Sequence, residues 1–162
     1  MSVTSVEKDL DNLTLTLIAD FTAPRDRVWQ LWADPRQLER WWGPPSFPAT
    51  FEQHDLAPGG TVTYYMTGPD GEKYAGYWTV TAVSAPSSLS FTDGFADESG
   101  RPNDEMPTTS SQVDFTERNG GTRMTVVSRF ADREQMDQLV EMGMVDGLTQ
   151  AVGQMDGLLV PA

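Results

Sequence analysis

The chain has 162 residues, with 24 Asp plus Glu against 11 Lys plus Arg, one His, no Cys and a formal net charge of −13. That length suits a single domain able to hold a real core or enclose a cavity. The charge argues against nucleic acid or an anionic membrane as partner, since both are held by Lys and Arg. Absence of Cys excludes disulfides, thiol nucleophiles, Cys-bound zinc and iron–sulfur clusters, and one His cannot build a multi-His metal centre, so no cofactor and no metal is expected. The N-terminus has no basic segment followed by an apolar run, and no stretch reaches the roughly 18 successive apolar residues of a membrane span. A soluble cytoplasmic protein is expected.

In residues 13–21, Leu13, Leu15, Leu17, Ala19 and Phe21 alternate with Thr14, Thr16 and Asp20, the period of a half-buried strand, with Ile18 as the exception. Residues 1–11 read as a loose N-terminal extension. Thr22 followed by Pro24 marks a helix start with Thr22 as cap, and Val28, Leu31 and Trp32 then fall at helical spacing. Pro35 stops or kinks that helix, and a second short one runs through Leu38 to Trp42 until Gly43-Pro44-Pro45 ends it.

Strands then dominate. Residues 50–55 form one, Pro58-Gly59-Gly60 a turn, and Val62, Tyr64 and Met66 one face of the next. Gly68-Pro69-Asp70-Gly71 is a hairpin connection to a return strand over 74–83, in which Gly76 marks a bulge or a close approach. Leu89 and Phe91 mark another strand. Residues 93–107, carrying Asp93, Asp97, Glu98, Asp104 and Glu105, read as a long exposed loop whose acids face solvent and do not match the spacing of a calcium loop. Strands over 109–117 and 122–130 follow, joined at Asn119-Gly120-Gly121.

From residue 132 the period changes. Met136, Leu139, Val140, Met144, Leu148, Ala151, Val152, Met155, Leu158 and Leu159 recur three or four apart, which reads as one long amphipathic helix of about seven turns. Asp132 is its cap, and Glu134, Asp137, Glu141, Asp146 and Asp156 take its outer face. Gly143 and Gly147 are costly in such a helix and suggest a close approach of sheet or ligand. The expected fold is α+β, with residues 1–162 as one domain. A curved antiparallel sheet of about seven strands wraps round the long C-terminal helix, and two short helices follow the first strand.

Several motifs in this order resemble a known family. They are Trp41-Trp42-Gly43-Pro44-Pro45, Asp55-Leu56-Ala57-Pro58-Gly59-Gly60, Gly68-Pro69-Asp70-Gly71, Gly76, Pro86 and the helix over 142–159. Together they are similar to bacterial proteins of the family named after the activator of the heat-shock-protein-ninety ATPase. That family sits within the START-like, birch-pollen-allergen-like superfamily, also called SRPBCC. The resemblance spans residues 12–160 and implies a helix-grip fold with a cavity between sheet and C-terminal helix. It implies a chaperone contact and a stress role only weakly. In the eukaryotic co-chaperone, ATPase stimulation depends strongly on a separate N-terminal domain with no counterpart in this sequence, and many relatives carry Arg where this chain has Ala57.

Strand alternation and helix spacing nominate a cavity lining. Trp32, Trp42 and Phe47 come from the helical cap, and Tyr64, Met66, Tyr74, Trp78, Phe91, Val113, Phe115 and Met124 from the sheet. Met144, Leu148 and Val152 come from the long helix. Such a lining suits an apolar or planar small ligand, unless these side chains fill the core completely. Of Trp41 and Trp42, one is expected to cover the pocket and one to pack the core. An exposed aromatic near Trp41 would supply a homodimer contact.

His54 and Asp55 are the polar candidates for catalysis, with Tyr64, Tyr74 and Tyr77 as hydroxyls that could meet a bound carbonyl or hydrogen-bond to a neighbouring strand. The alternatives are a structural His and a turn carboxylate. Neither a nucleophile elbow nor a phosphate loop is present. A ligand-binding module therefore leads. An enzyme of cyclase or dehydratase type comes second, and a chaperone partner third. The acids are expected on the exterior, with none on the cavity wall.

Overall fold

Alternating apolar residues build one eight-stranded antiparallel sheet in the computed structural model, which describes residues 3–97 and 99–159. In chain order the elements are β1 (Val3–Asp9), β2 (Thr14–Phe21), α1 (Arg25–Ala33), α2 (Pro35–Leu38), β3 (Ala49–His54) and β4 (Thr61–Thr67). These are followed by β5 (Lys73–Ser84), β6 (Ser88–Phe95), β7 (Thr109–Arg118), β8 (Gly121–Phe130), α3 (Arg133–Glu141), α4 (Met144–Gly153) and α5 (Met155–Leu158). The spatial order is β1-β2-β8-β7-β6-β5-β4-β3, so α1 and α2 span the one long crossover between sheet edges. The α+β helix-grip architecture is as expected.

Five expectations need correction. The sheet has an eighth strand because the segment read as an N-terminal extension pairs with β2, with Val6 opposite Leu17 and Lys8 opposite Leu15; Met1 and Ser2 lie outside the described residues. Leu13 leaves the strand and takes φ 56° in the turn before β2. Helix α1 starts two residues later than the Thr-Pro pattern suggests: Pro24, not Thr22, is its N-cap and no side chain caps it. The second short helix is α2, which ends at Leu38, with Asp34 capping it by accepting from the Arg36 N–H at 2.9 Å.

The fifth correction bears on the site. The long helix is broken into α3, α4 and α5, because Gly143 adopts a left-handed conformation at φ 92° between the first two. Asp132 caps α3 as expected, accepting from the Gln135 N–H at 2.8 Å. Two side chains tie the C-terminal end of this segment down. Gln154 donates to the carbonyls of Trp41 and Gly43 at 3.1 and 2.7 Å. Arg27 donates to the Leu158 carbonyl at 2.6 Å.

The core fills the concave sheet face under α1 and α4. Trp78 of β5 and Phe91 of β6 stack with centroids 4.1 Å apart and planes 17° from parallel. Trp32 and Trp42 close over them at 6.1 and 4.9 Å from Trp78. Among the described residues the indole N–H groups of Trp32 and Trp78 have no hydrogen-bond partner, while that of Trp42 interacts with the Tyr64 hydroxyl. Each lies among edge-to-face or tilted rings, where a π face can take an N–H.

Gly143 and Gly147 sit four apart yet should respond oppositely to Ala. At Gly143 a Cβ meets nothing within 4 Å, so the left-handed backbone alone sets a destabilisation of about 1–2 kcal/mol. At Gly147 a Cβ meets only Pro44 Cγ at 3.8 Å, an ordinary contact, so Gly147→Ala should gain up to about 1 kcal/mol in helix propensity. Urea denaturation of the two variants checks the opposite signs.

Candidate functional site

Beyond the aromatic core the helices stand away from the sheet and leave a cavity of about 310 Å³. Its floor follows strand alternation. Phe91, Asp93 and Phe95 of β6 share the concave face, as do Thr109 and Ser111 of β7, Val126 and Ser128 of β8, and Tyr64 and Met66 of β4. Asp93 lies opposite Thr109, Phe91 opposite Ser111, and Ser111 opposite Ser128. These pairings place a carboxyl and three hydroxyls in one strip. Trp32, Trp42 and Pro44 form one wall. Leu139, Met142, Gly143, Met144, Gly147, Leu148 and Ala151 form the roof, so the break in the C-terminal helix lies directly over the strip.

The polar end is built by a hydrogen bond across a strand. Tyr64 on β4 donates from its hydroxyl to Asp93 Oδ1 on β6 at 3.1 Å. It can do so because the residue opposite it on the intervening β5 is Gly76. A Cβ there would lie 2.5 Å from the Tyr64 Cζ and Oη. The expected close approach at Gly76 is thus the Tyr64 ring crossing β5.

Burial pushes the Asp93 carboxyl up to about 7, partly offset by the Tyr64 hydrogen bond and the Gly94 N–H. Burial, and then the Asp93 charge, push the Tyr64 phenol well above its ordinary value. Asp93 is the one charged residue lining the cavity. It was expected in an exposed loop, but β6 runs on through Phe95 and turns it inward, so the expectation of no acid on the cavity wall fails. The neighbouring acid Asp97 does belong to a turn, accepting from the Ser99 and Arg101 N–H groups at 2.9 and 3.0 Å; Glu98 lies outside the described residues.

The nominated lining residues divide. Trp32, Trp42, Tyr64, Met66, Phe91, Met144 and Leu148 come together around the cavity. Trp78, Val113, Phe115, Met124 and Val152 share the concave side but are buried in the filled core, where α1 packs on the sheet; Trp29 meets Phe115 edge-on at 5.5 Å. Phe47 and Tyr74 contact each other at 5.9 Å outside the cavity, with Tyr74 55% exposed. Of Trp41 and Trp42, it is Trp42 that stands on the cavity wall. Trp41 packs the core, donating its indole N–H to the Leu31 carbonyl at 2.8 Å, and so offers no exposed ring for a dimer contact.

His54 and Asp55 lie away from the cavity. His54 Nε2–H donates to the Trp32 carbonyl at 3.1 Å and fastens β3 to α1. Asp55 is an exposed turn residue whose N–H donates to the Thr61 carbonyl. Asp93, Phe95, Thr109, Ser111 and Ser128 were not nominated. Their signal was the period of two, since Leu89, Phe91, Asp93 and Phe95 continue one face. A wider recess of about 1290 Å³ lies beside β4 and β5, but exposed side chains such as Glu52, Gln53, Lys73 and Asp97 line it, and it opens to solvent. Among the described residues no group of three or more His, Asp or Glu converges on a metal position, and no helix is long and apolar enough to cross a membrane.

A curved sheet gripping a C-terminal helical segment over a cavity defines a START-like helix-grip protein. The chain belongs to the family described as activator of Hsp90 ATPase homolog 1-like protein, whose model matches residues 22–160. It is similar to the crystal structure of protein Ms6760 from Mycobacterium smegmatis, at 56% identity and a TM-score of 0.91 over 99% of this chain and 98% of that one. It is also similar to the solution structure of a protein from Arthrobacter aurescens, at 50% identity and a TM-score of 0.94 over 98% and 92%. An AHSA1 protein from Silicibacter pomeroyi, 24% identical with a TM-score of 0.71 over 90% and 96%, shares the fold. No curated protein matches the sequence.

Asp93 sets a pH dependence of stability. Between the unfolded value of 3.8 and the folded value of about 7, the folded state binds more protons, so stability falls as pH rises across that window. Asp20 acts in the opposite sense, because the Arg123 hydrogen bond holds its carboxyl below the usual range and that stabilisation is lost only in acid. Asp93→Asn still accepts from Tyr64. At pH 8 it should exceed the natural protein in stability by on the order of 2–4 kcal/mol, with little difference at pH 4. Urea denaturation across this range, with the carboxyl carbon of Asp93 followed by NMR, measures both the slope and the midpoint.

Proposed function

We propose that this protein binds an apolar or aromatic small molecule in the space between β4, β6, β7, β8 and the α3–α4 roof. The observation that carries the reading is the cavity itself. About 310 Å³ stays open beside a tightly packed aromatic core, at the low end of the size of small-molecule sites, and a few polar groups stand among its apolar lining. Rigid rings on one wall and Met142, Met144 and Leu148 on the roof give an adaptable apolar fit. The Tyr64–Asp93 pair fixes orientation.

Proton-transfer chemistry of the cyclase or dehydratase kind is a second reading. Its support is Asp93, since a carboxyl titrating near 7 at a cavity wall suits a general acid or base, whereas His54 and Asp55 are too far outside to take part. Loss of turnover in Asp93→Asn would be its mark. A chaperone contact draws support from the family description alone.

Gly147 separates binding from folding. Neutral aromatic probes of naphthalene size should raise the Tm of the natural protein and perturb its tryptophan fluorescence through Trp32 and Trp42. Gly147→Leu places a side chain in the cavity roof at no backbone cost, and should lose both responses while Tm without probe holds or rises. A natural protein unmoved by every probe, by thermal shift and by calorimetry, would sink the binding reading.

A further inference from the structure

The lining of the cavity is one-sided in charge. It contains Asp93 and no Lys, Arg or His, so the carboxylate has no protein cation to answer it. Among the described residues, Tyr64 is the one side chain that donates to it, a neutral hydroxyl held in its protonated form by burial. A carboxylate offers about four lone-pair positions, and the Tyr64 phenol and the Gly94 N–H occupy two. A desolvated carboxylate that is incompletely paired is costly, and an incoming positive charge relieves that cost directly.

The surroundings fit a nitrogen cation in two further respects. Trp32, Trp42, Phe91 and Phe95 line the cavity with aromatic rings, whose faces attract an ammonium once it is desolvated. Thr109 lies opposite Asp93, and Ser111 and Ser128 add hydroxyl oxygens farther along the same lining, so an ammonium, with its three donors, finds an acceptor beyond the carboxylate. The net charge of −13 concentrates cations around the molecule and repels anions. A carboxylate or phosphate ligand would meet Asp93 with no cation between them. A neutral alcohol could bond to Asp93 but would leave its charge unanswered.

We propose, on the reading that the cavity binds a small molecule, that its ligand class is a hydrophobic amine: an apolar or aromatic body bearing one protonated nitrogen that pairs with Asp93. Binding draws the Asp93 proton off wherever the empty site holds one. The titratable groups near Asp93 are Tyr64 and, on β5, Tyr77 with Asp104 beside it; Leu139, Met144 and Leu148 on the roof bring no charge. Proton release on binding at pH 6 therefore reports Asp93.

Three probes with one carbon skeleton test this: 3-phenylpropylamine, 3-phenylpropanol and 3-phenylpropanoate, titrated calorimetrically into the full chain. At pH 8 the amine should bind at least tenfold tighter than the alcohol, and the carboxylate should not bind. At pH 6 amine binding should release up to one proton per site, seen as a dependence of the heat on buffer ionisation enthalpy, while alcohol binding releases none. Asp93→Asn should bring the amine down to the alcohol's affinity and leave the alcohol unchanged. Gly147→Leu should remove both, which places them in this cavity. Equal affinity for amine and alcohol in the natural protein, or an amine preference that survives Asp93→Asn, overturns the proposal while leaving the cavity reading intact. Failure of all three probes, together with the naphthalene-sized set, overturns both.

Discussion

The stack of Trp78 on Phe91, wedged by Trp32 and Trp42, decides how much of the concave sheet face is filled and how much is left open. Each ring pair contributes about 0.5–1.5 kcal/mol beyond its area, and four large rings in mutual contact leave little freedom to rearrange. The core can therefore be solid on one side of Phe91 and hollow on the other. Phe91 belongs to both: it stacks on the core through Trp78 and lines the cavity beside Ser111. A molecule entering the cavity meets a preformed aromatic wall, so little ordering has to be done at the moment of binding.

The roof is held unevenly. At the α4–α5 end, Gln154 and Arg27 hold the backbone of the Trp41–Gly43 turn and of Leu158, and His54 holds α1 to β3. At the α3–α4 end the helix is interrupted where Gly143 turns left-handed and Met142 stands 54% exposed. The interruption sits over the polar strip instead of the aromatic core. A continuous helix would carry its apolar stripe straight across this region. The break lets α3 pack separately, with Met136 and Leu139 against Leu15 and Phe130, while α4 covers the aromatic side. Two small packing centres under one broken helix leave a gap where they meet, and that gap is the cavity.

Much of this was readable in the sequence. The period-two runs of Leu15 to Phe21 and Val62 to Met66, the hairpin at Asn119-Gly120, and the change to helical spacing after Asp132 each have one local cause, and the architecture follows from them. What was not readable depended on partners distant in sequence. Val3–Asp9 has no strong apolar pattern and becomes a strand because β2 presents a free edge to it. Tyr74 obeys the alternation of β5, yet it projects beyond the helices and stays exposed. Met124 and Val152 are as apolar as Met144 and Leu148; only the position of the aromatic wedge sorts the first pair into the core and the second onto the cavity. His54 and Asp55 drew attention by chemical type, and the structure assigns them to backbone fastening.

Asp93 is the instructive case, because the local pattern pointed both ways. Gly94, Asp97 and Gly100 downstream suggest a loop, whereas Leu89, Phe91 and Phe95 upstream and downstream suggest a strand whose inward face includes Asp93. The strand prevails because β7 pairs with it as far as Thr109, and because Gly76 leaves room for Tyr64 to reach the carboxyl. An apolar residue at this position would pack more cheaply. Asp93 is retained inside a protein that has acids to spare on its exterior, where they cost nothing to solvate. Among the described residues it is the one acid that lines the cavity, and it does so without a cation beside it. The surplus negative charge of this chain thus has two parts with different physics: an exterior share that water solvates, and the Asp93 charge at the cavity wall, whose stability depends on what occupies the space beside it.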